Sequence, residues 1–210
     1  PCPGASFIVF NTSVPMLHDA LTRQHRQLAA GWHEVAGMDD AELDACIRRE
    51  RIDILLELSG HMAGHRLGAL CAKPAPIIVT AIGYPDTTGL PAVDGRIVDS
   101  ITDPPGSERW CTERLLRIDP CFLCYTAPTQ APEPELPEAS QPITFGSFNN
   151  ATKIGARSVE LWSRVLHAVP GSRLLMKAQS LTDTTGRQVI MDRFAAAGIT
   201  ADRLELVAYT

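Results

Sequence analysis

The stretch "ITFGSFNNATKIGARSVELWSRVLHAVPGSRLLMK", residues 143–177, decides the fold class. It begins with an apolar run at 143–148 that is typical of a buried strand, and it ends with a second one, "RLLMK", at 173–177. Between them, apolar residues recur at the spacing of an amphipathic helix: Val159, Trp162, Val165, Leu166 and Val169. A strand, a helix and a strand in this order predict a parallel βαβ unit and an α/β protein.

The residues that follow extend this unit. A second helix is predicted over about 186–197, with Gly198 at its carboxyl end, and "RLELVAY" at 203–209 predicts a third strand. The order βαβαβ is the half-unit of a doubly wound sheet. We therefore predict that residues 143–210 form the first part of a Rossmann-like, nucleotide-binding lobe.

Residues 1–125 also contain predicted strands and helices. Continuous apolar runs that are typical of strands buried on both faces occur at 6–10, 52–58 and 76–82, and shorter ones occur at 96–100 and 114–119. Two helices are predicted among them. The first would carry Leu17, Leu21 and Leu28 on one side, and the second would begin at Asp39 or Asp40. Residues 1–125 therefore predict part of a second α/β lobe.

A proline-rich stretch separates the two lobes. Residues 126–142, "TAPTQAPEPELPEASQP", contain five prolines and no aromatic residue, which predicts an extended linker. Both predicted lobes are incomplete, because a short parallel sheet would leave open edges and uncovered apolar faces. We therefore expect the chain to be an excerpt of a larger protein.

Composition limits the classes of function. The chain is 45% hydrophobic and 20% charged, with a formal net charge of −5, so it is typical of a globular protein and not of a nucleic-acid-binding surface. No apolar run reaches the roughly 20 residues that a membrane helix needs. The six cysteines lie mostly in apolar contexts, which predicts buried, reduced thiols and a cytoplasmic location.

Three polar loops follow predicted strands. They are "SGHMAGHR" at 59–66, "GYPDTTGLP" at 83–91 and "NNATKIG" at 149–155. Ligands of open α/β sheets bind beyond the carboxyl ends of the strands. The three loops together therefore predict a substrate cleft between the lobes, although each loop alone is equally consistent with a simple turn.

A metal site is not predicted. His61 and His65 have a spacing that can place two imidazoles on zinc, but a site needs at least a third ligand, and Gly64 disfavours a regular helix across the pair. The C-x2-C pair, Cys121 and Cys124, has no second pair at a suitable spacing.

Two charged residues are candidates for the cleft. Lys153 lies in a loop between a strand and a helix, where backbone N–H groups and the helix dipole favour phosphate. The stretch lacks the GxxxxGK[ST] pattern of a P-loop, and a lysine at a helix start can also be merely solvated. Glu34, in "GWHEVAG", is either a carboxylate at the rim of the pocket or a plain acid flanking a helix.

Long stretches of the chain resemble the catalytic region of the O-GlcNAc transferase and SPINDLY family. The similarity is carried by residues 53–99, "DILLELSGHMAGHRLGALCAKPAPIIVTAIGYPDTTGLPAVDGRIVD", and then by "PCFLCY" and "FGSFNNATKI". Such enzymes have two Rossmann-like lobes, the GT-B arrangement, and lie behind tetratricopeptide repeats that present protein substrates. The resemblance implies a UDP-GlcNAc donor, Ser or Thr acceptors on proteins, inversion at the sugar, and neither metal nor cofactor.

The resemblance also implies roles for particular residues. Lys153 corresponds to the lysine that contacts the diphosphate, and Asn150, with Asn149 beside it, corresponds to polar residues at the nucleotide. The segment that packs against the sugar corresponds to Gly83, Tyr84 and Pro85, while His61 belongs to a loop lining the same cleft and Glu34 to an acid near the acceptor.

Departures from the family pattern leave three hypotheses open. Asp86 stands where "GYPGTTG" has a glycine, which would restrict the backbone φ and bring an anion toward a diphosphate. The leading hypothesis is a protein O-GlcNAc transferase. The alternatives are a SPINDLY-type O-fucosyltransferase that uses GDP-fucose, and an inactive interaction module attached to the repeats.

Overall fold

The computed structural model describes residues 4–13, 19–128, 130–136 and 141–208. The chain divides into two compact units, one up to Thr129 and the other from Gln130 onward. This division falls within the proline-rich stretch 126–142.

The first unit contains six short parallel strands in two sheets. Strands β1 and β2 form a two-stranded sheet, and β3 to β6 form a four-stranded sheet in sequential order. Their bounds are β1 Ile8–Asn11, β2 Gly31–Glu34, β3 Ile54–Glu57, β4 Ile77–Thr80, β5 Gly95–Val98 and β6 Arg114–Arg117. Strand β2 was not predicted from the sequence. All carboxyl ends of the four-stranded sheet point the same way, so the loops that follow β3 and β4 lie at one edge.

Among the described residues of the first unit, three segments are α-helical: α1 Ala20–Leu28, α2 Asp40–Arg49 and α3 Leu67–Leu70. The N-cap of α2 is Asp39, as predicted, and its carboxylate and that of Glu42 form a reciprocal capping box. Helices α2 and α3 cover one side of β3 and β4 and bury Leu43, Ile47 and Ile78. Burial of each such side chain contributes about 2 kcal/mol.

Several elements of this unit are more exposed than the sequence predicted. Leu21 and Leu28 are 61% and 68% exposed, because no described residue covers that side of α1; Leu17 lies outside the described residues. Strand β1 is only half-buried. Strand β3 alternates, with Ile54 and Leu56 exposed, because α2 and α3 cover one face of the sheet and not the other.

The second unit confirms the predicted βαβαβ order. It consists of β7 Thr144–Ser147, α4 Ala156–Ala168, β8 Arg173–Lys177, α5 Thr184–Ala196 and β9 Leu204–Val207. The three strands are parallel and pair in sequential order. Phe194, Leu166 and Met176 are almost fully buried between sheet and helices. Gly198 adopts a positive φ of 79° just after α5, as the helix end requires.

The cysteines do not match the prediction of buried thiols. Of the five that the structure describes, Cys46 is buried, Cys111 is half-buried, and Cys71, Cys121 and Cys124 are exposed. An apolar neighbour in sequence does not determine burial at the ends of strands and helices. Among the described residues, no helix combines the length and the apolar character required to cross a lipid bilayer.

Candidate functional site: the loops at the carboxyl ends of the strands

The loops after β3 and β4 contact each other closely. The rings of His61 and Tyr84 meet edge to face, with centroids 5.2 Å apart. A Cβ atom on Gly60 would overlap Tyr84, and one on Gly83 would overlap the carbonyl oxygen of Leu58. Glycine is therefore required at both positions for the loops to approach, and Gly60 in addition has a positive φ of 51°. The structure brings His61, Gly83 and Tyr84 together within the first unit.

The first of these loops is held at both ends. At its start, the Glu57 carboxylate accepts hydrogen bonds from the backbone N–H of Ser59 at 2.6 Å and of Gly60 at 2.9 Å. The same carboxylate accepts one from the buried Thr80 hydroxyl at 2.8 Å. At its end, the Arg66 guanidinium donates to the Met38 carbonyl at 2.8 Å. These bonds fix the backbone that presents His61.

The second loop is held by a buried carboxylate. Glu113, only 4% exposed, accepts hydrogen bonds from the Thr88 N–H at 2.7 Å, from the Thr88 hydroxyl, and from the Thr87 hydroxyl at 2.6 Å. Burial alone would raise the pKa of Glu113, but these hydrogen bonds outweigh it and hold the pKa below its ordinary value. Glu113 is thus an anion that organises residues 87 and 88.

Pro85 is fixed through its carbonyl group. The buried Arg96 guanidinium donates to the Pro85 oxygen at 3.0 Å and forms an ion pair with Asp103. Asp86 beside it is exposed, and its carboxylate accepts the N–H of Thr87 at 2.7 Å. The expectation that Asp86 would need a glycine-type backbone is wrong, because its φ is not positive; the positive φ values nearest to it lie at Ile82, at 64°, and at Gly89, at 72°.

Glu34 ends strand β2 and has several local partners. Its carboxylate accepts hydrogen bonds from the Asn11 amide and the Trp32 indole, both at 2.8 Å, and pairs with Arg26 at 3.4 Å. Glu34 is therefore a strand-end carboxylate rather than an acid flanking a helix. The three partners named here belong to β1, α1 and β2.

In the second unit, the candidate residues lie between β7 and α4. Asn149 and Asn150 are exposed, and the Asn150 side chain caps a single 3-10 turn, 151–153, by accepting the Thr152 N–H at 3.1 Å. Lys153 ends that turn and is exposed, and its side chain makes no hydrogen bond or ion pair with any other residue that the structure describes. Its ammonium group is free to meet an anion.

Helix α4 begins at Ala156, three residues after Lys153. Its N-cap is Gly155, which has no side chain to bond the first N–H groups of the helix. A 13-residue helix with an uncapped amino end attracts anions through those groups and through its dipole. Beside the turn lies an open pocket of about 410 Å³, lined by residues that include Thr152, Ser180 and Arg193.

Three residues that hold these loops were not predicted from the sequence: Glu57, Thr88 and Glu113. Glu113 meets residues 25 positions earlier in the chain, and such a separation leaves no local pattern. The available signal was the position of two carboxylates, one at the end of β3 and one immediately before β6, next to apolar runs. Within the described residues, no three His, Cys, Asp or Glu side chains are grouped as metal ligands would be.

Comparison with known proteins gives consistent matches. A model of glycosyl transferase family 41 matches residues 36–126. The chain is 42% identical over 180 residues to a protein of Arabidopsis thaliana named "Probable UDP-N-acetylglucosamine–peptide N-acetylglucosaminyltransferase SPINDLY", covering 84% of this chain and 20% of that protein. A protein of the same name from Petunia hybrida is 39% identical over 211 residues, covering 97% of this chain and 22% of that protein. The chain thus spans about a fifth of the length of these curated relatives.

A solved structure agrees with the sequence matches. A mutant of the Thermobaculum terrenum O-GlcNAc transferase superposes with a TM-score of 0.84 and 37% identity, covering 91% of this chain and 36% of that one. The prediction of an α/β fold with parallel sheets, similar to a GT-B catalytic region, is confirmed by this likeness.

Proposed function

Because the chain belongs to glycosyl transferase family 41, we propose that the full-length protein transfers N-acetylglucosamine from UDP-GlcNAc to Ser or Thr hydroxyls of proteins. The names of its relatives support this donor and this acceptor class. We also propose inversion at the sugar, no bound metal or cofactor, tetratricopeptide repeats elsewhere in the protein, no nucleic-acid or membrane partner, and a cytoplasmic location.

One observation supports the chemistry most directly: an exposed, unpaired lysine beside an uncapped helix. When the sugar departs, negative charge grows on the diphosphate. We assign the stabilisation of that charge to Lys153 and to the N–H groups at the start of α4, because the lysine is exposed and those N–H groups have no side-chain cap. Asn149 and Asn150 supply amide groups to the nucleotide from the preceding loop. The loss of one such preorganised donor costs about 3 kcal/mol of transition-state stabilisation.

For the sugar and the acceptor, we propose residues of the first unit. Tyr84 offers a half-buried aromatic ring, and Gly83 and Pro85 fix the backbone around it. His61 presents a polar edge in contact with that ring. Glu34 is the carboxylate we assign near the acceptor, at the end of β2.

A second donor has support of its own. The curated relatives carry the name SPINDLY, and the resemblance of residues 53–99 to SPINDLY-type enzymes implies GDP-fucose as a second candidate donor. An O-fucosyltransferase is therefore the alternative. An inactive interaction module is the third possibility, and Asp86 favours it only weakly because its carboxylate is engaged by the Thr87 N–H.

Nucleotide release by the full-length protein separates these functions. UDP-GlcNAc and GDP-fucose are offered in parallel, with and without an acceptor protein. We expect release from UDP-GlcNAc, and we expect Lys153→Ala to lower that rate by about 100-fold, the equivalent of the 3 kcal/mol above. Release from GDP-fucose alone would establish the alternative, and release from neither donor would contradict both enzyme functions.

Arg157→Ala is the matched control. Arg157 is a cation in the first turn of the same helix, but it is exposed and paired with Glu160 at 2.9 Å. An exposed pair of this kind contributes little, so we expect this variant to stay within about twofold of wild type. A comparable loss in both variants would indicate a general charge effect and not a role of Lys153.

A further inference from the structure

Three residues connect the interior of the first unit to its exposed loops. Glu113 is buried and accepts both the N–H and the hydroxyl of Thr88. Thr88 is itself only 3% exposed. Because two of its groups are bound to one carboxylate, the direction of its carbonyl group is fixed.

That carbonyl determines which nitrogen of His61 carries hydrogen. The Thr88 oxygen lies 2.9 Å from His61 Nε2. A carbonyl oxygen only accepts hydrogen bonds, so Nε2 must be the donor, and in the neutral imidazole Nδ1 is then a bare acceptor.

Nδ1 has no partner of its own. None of the described residues hydrogen-bonds this atom, and the His61 side chain is exposed. The ring is held in place by the Thr88 bond and by edge contact with Tyr84 at 5.2 Å. It lies just beyond the carboxyl end of β3, where ligands of open parallel sheets bind.

From this geometry we infer that His61 Nδ1 accepts a hydrogen bond from a hydroxyl group of a bound substrate. This inference rests on the proposed glycosyl transfer, which brings two kinds of hydroxyl to the site. One kind belongs to the sugar of the donor, and the other is the Ser or Thr side chain of the acceptor. The Thr88 bond has the role of keeping the acceptor nitrogen turned outward.

Two substitutions distinguish the role of Nδ1 of His61 from that of Nε2. His61→Gln places an amide N–H near the position of Nε2 and keeps the bond to Thr88, but leaves nothing at Nδ1. His61→Asn places an amide oxygen near Nδ1 and gives up the bond to Thr88. In the full-length protein we expect kcat/KM for transfer to fall about tenfold in His61→Gln, equivalent to about 1.4 kcal/mol, and His61→Asn to retain at least threefold more activity than His61→Gln.

The source of the hydroxyl follows from two assays. If it belongs to the donor sugar, hydrolysis of the donor without acceptor falls in parallel with transfer. If it belongs to the acceptor, donor hydrolysis is unchanged and the KM for the acceptor protein rises. Either result supports the inference.

The controls make failure recognisable. His25→Gln, in an exposed position on α1, is expected to match wild type, and thermal unfolding verifies that each variant is folded at the assay temperature. Wild-type rates in His61→Gln, or activity in His61→Asn no higher than in His61→Gln, would overturn the inference while leaving the proposed function intact. A wild-type protein that is inactive with both donors would instead contradict the proposed function.

Discussion

Glu113 carries a charge in the interior of the first unit, and its contribution to the free energy of unfolding depends on pH. Its carboxylate accepts three hydrogen bonds from Thr87 and Thr88, which hold its pKa below the ordinary value of 4.5. A group whose pKa is depressed by folding stabilises the protein above its unfolded pKa, and this contribution is lost as the pH falls through the folded pKa.

Replacement of Glu113 by Gln should therefore have an effect that depends on pH. At neutral pH we expect the free energy of unfolding to fall by about 1–3 kcal/mol, because charge-assisted bonds to Thr87 and Thr88 are lost. The difference between wild type and variant should begin to narrow as the pH falls below about 4.5, because the carboxylate is then protonated in the unfolded wild-type protein while the folded state keeps its charge to a lower pH. Denaturant unfolding at a series of pH values measures this, and a difference that stays constant down to pH 3 would refute it.

The same residue shows where reading a single sequence fails. Lys153 and His61 could be selected because each stands in a polar loop after an apolar run. Glu113 could not, because its function depends on Thr88, which comes close only after β4, β5 and β6 have paired. The tautomer of His61 was hidden for the same reason, since it depends on a carbonyl group 27 residues away.

The loops after β3 and β4 approach each other so closely that a residue with a Cβ atom does not fit at Gly60 or Gly83. A Cβ atom on Gly83 would overlap the backbone of Leu58, which cannot move without distorting the end of β3. We expect Gly83→Ala to lower the free energy of unfolding by about 2 kcal/mol, as is typical of overpacking. Thermal or denaturant unfolding measures this loss.

Gly37→Ala is the matched control for that substitution. Gly37 lies in the same unit, a Cβ atom there would meet no atom within 4 Å, and its φ is not positive. The free energy of unfolding of this variant should stay within about 0.5 kcal/mol of the wild-type value. Equal losses in both variants would mean that the close approach of the loops is not the cause.

The order of the elements was predictable because strands and helices alternate with distinct periodicities. Strand β2 was missed, since "GWHE" at 31–34 has neither a continuous apolar run nor strict alternation. The exposed faces of α1 and β3 were also missed. Periodicity marks which residues share a face, but the covering of that face depends on elements distant in sequence.

The two units meet in sequence within a proline-rich stretch, at the start of the second unit. Residues 130–136 are exposed, and Leu136 is 96% exposed. Extended, solvent-accessible backbone between compact units is the preferred site of proteolysis. We expect a glutamyl endopeptidase to cut first after Glu135 and to leave two resistant fragments, as mass spectrometry would show.

A single substitution tests that cleavage site. Glu135→Gln should slow the first cut, whereas Glu160, equally exposed but within α4, should remain uncut in both proteins. Early fragments that end before residue 126 or after residue 142 would contradict a division of the chain within the proline-rich stretch.

The close contact between the loops after β3 and β4 also limits which residues relatives can carry at positions 60 and 84. A relative that carried a side chain at position 60 could keep this backbone only with glycine at position 84, because the two Cβ atoms would otherwise lie 2.2 Å apart. Among relatives, the residues at positions 60 and 84 should therefore vary together. We expect a change of donor preference to involve substitutions in both loops, the one after β3 and the one after β4, and not in one loop alone.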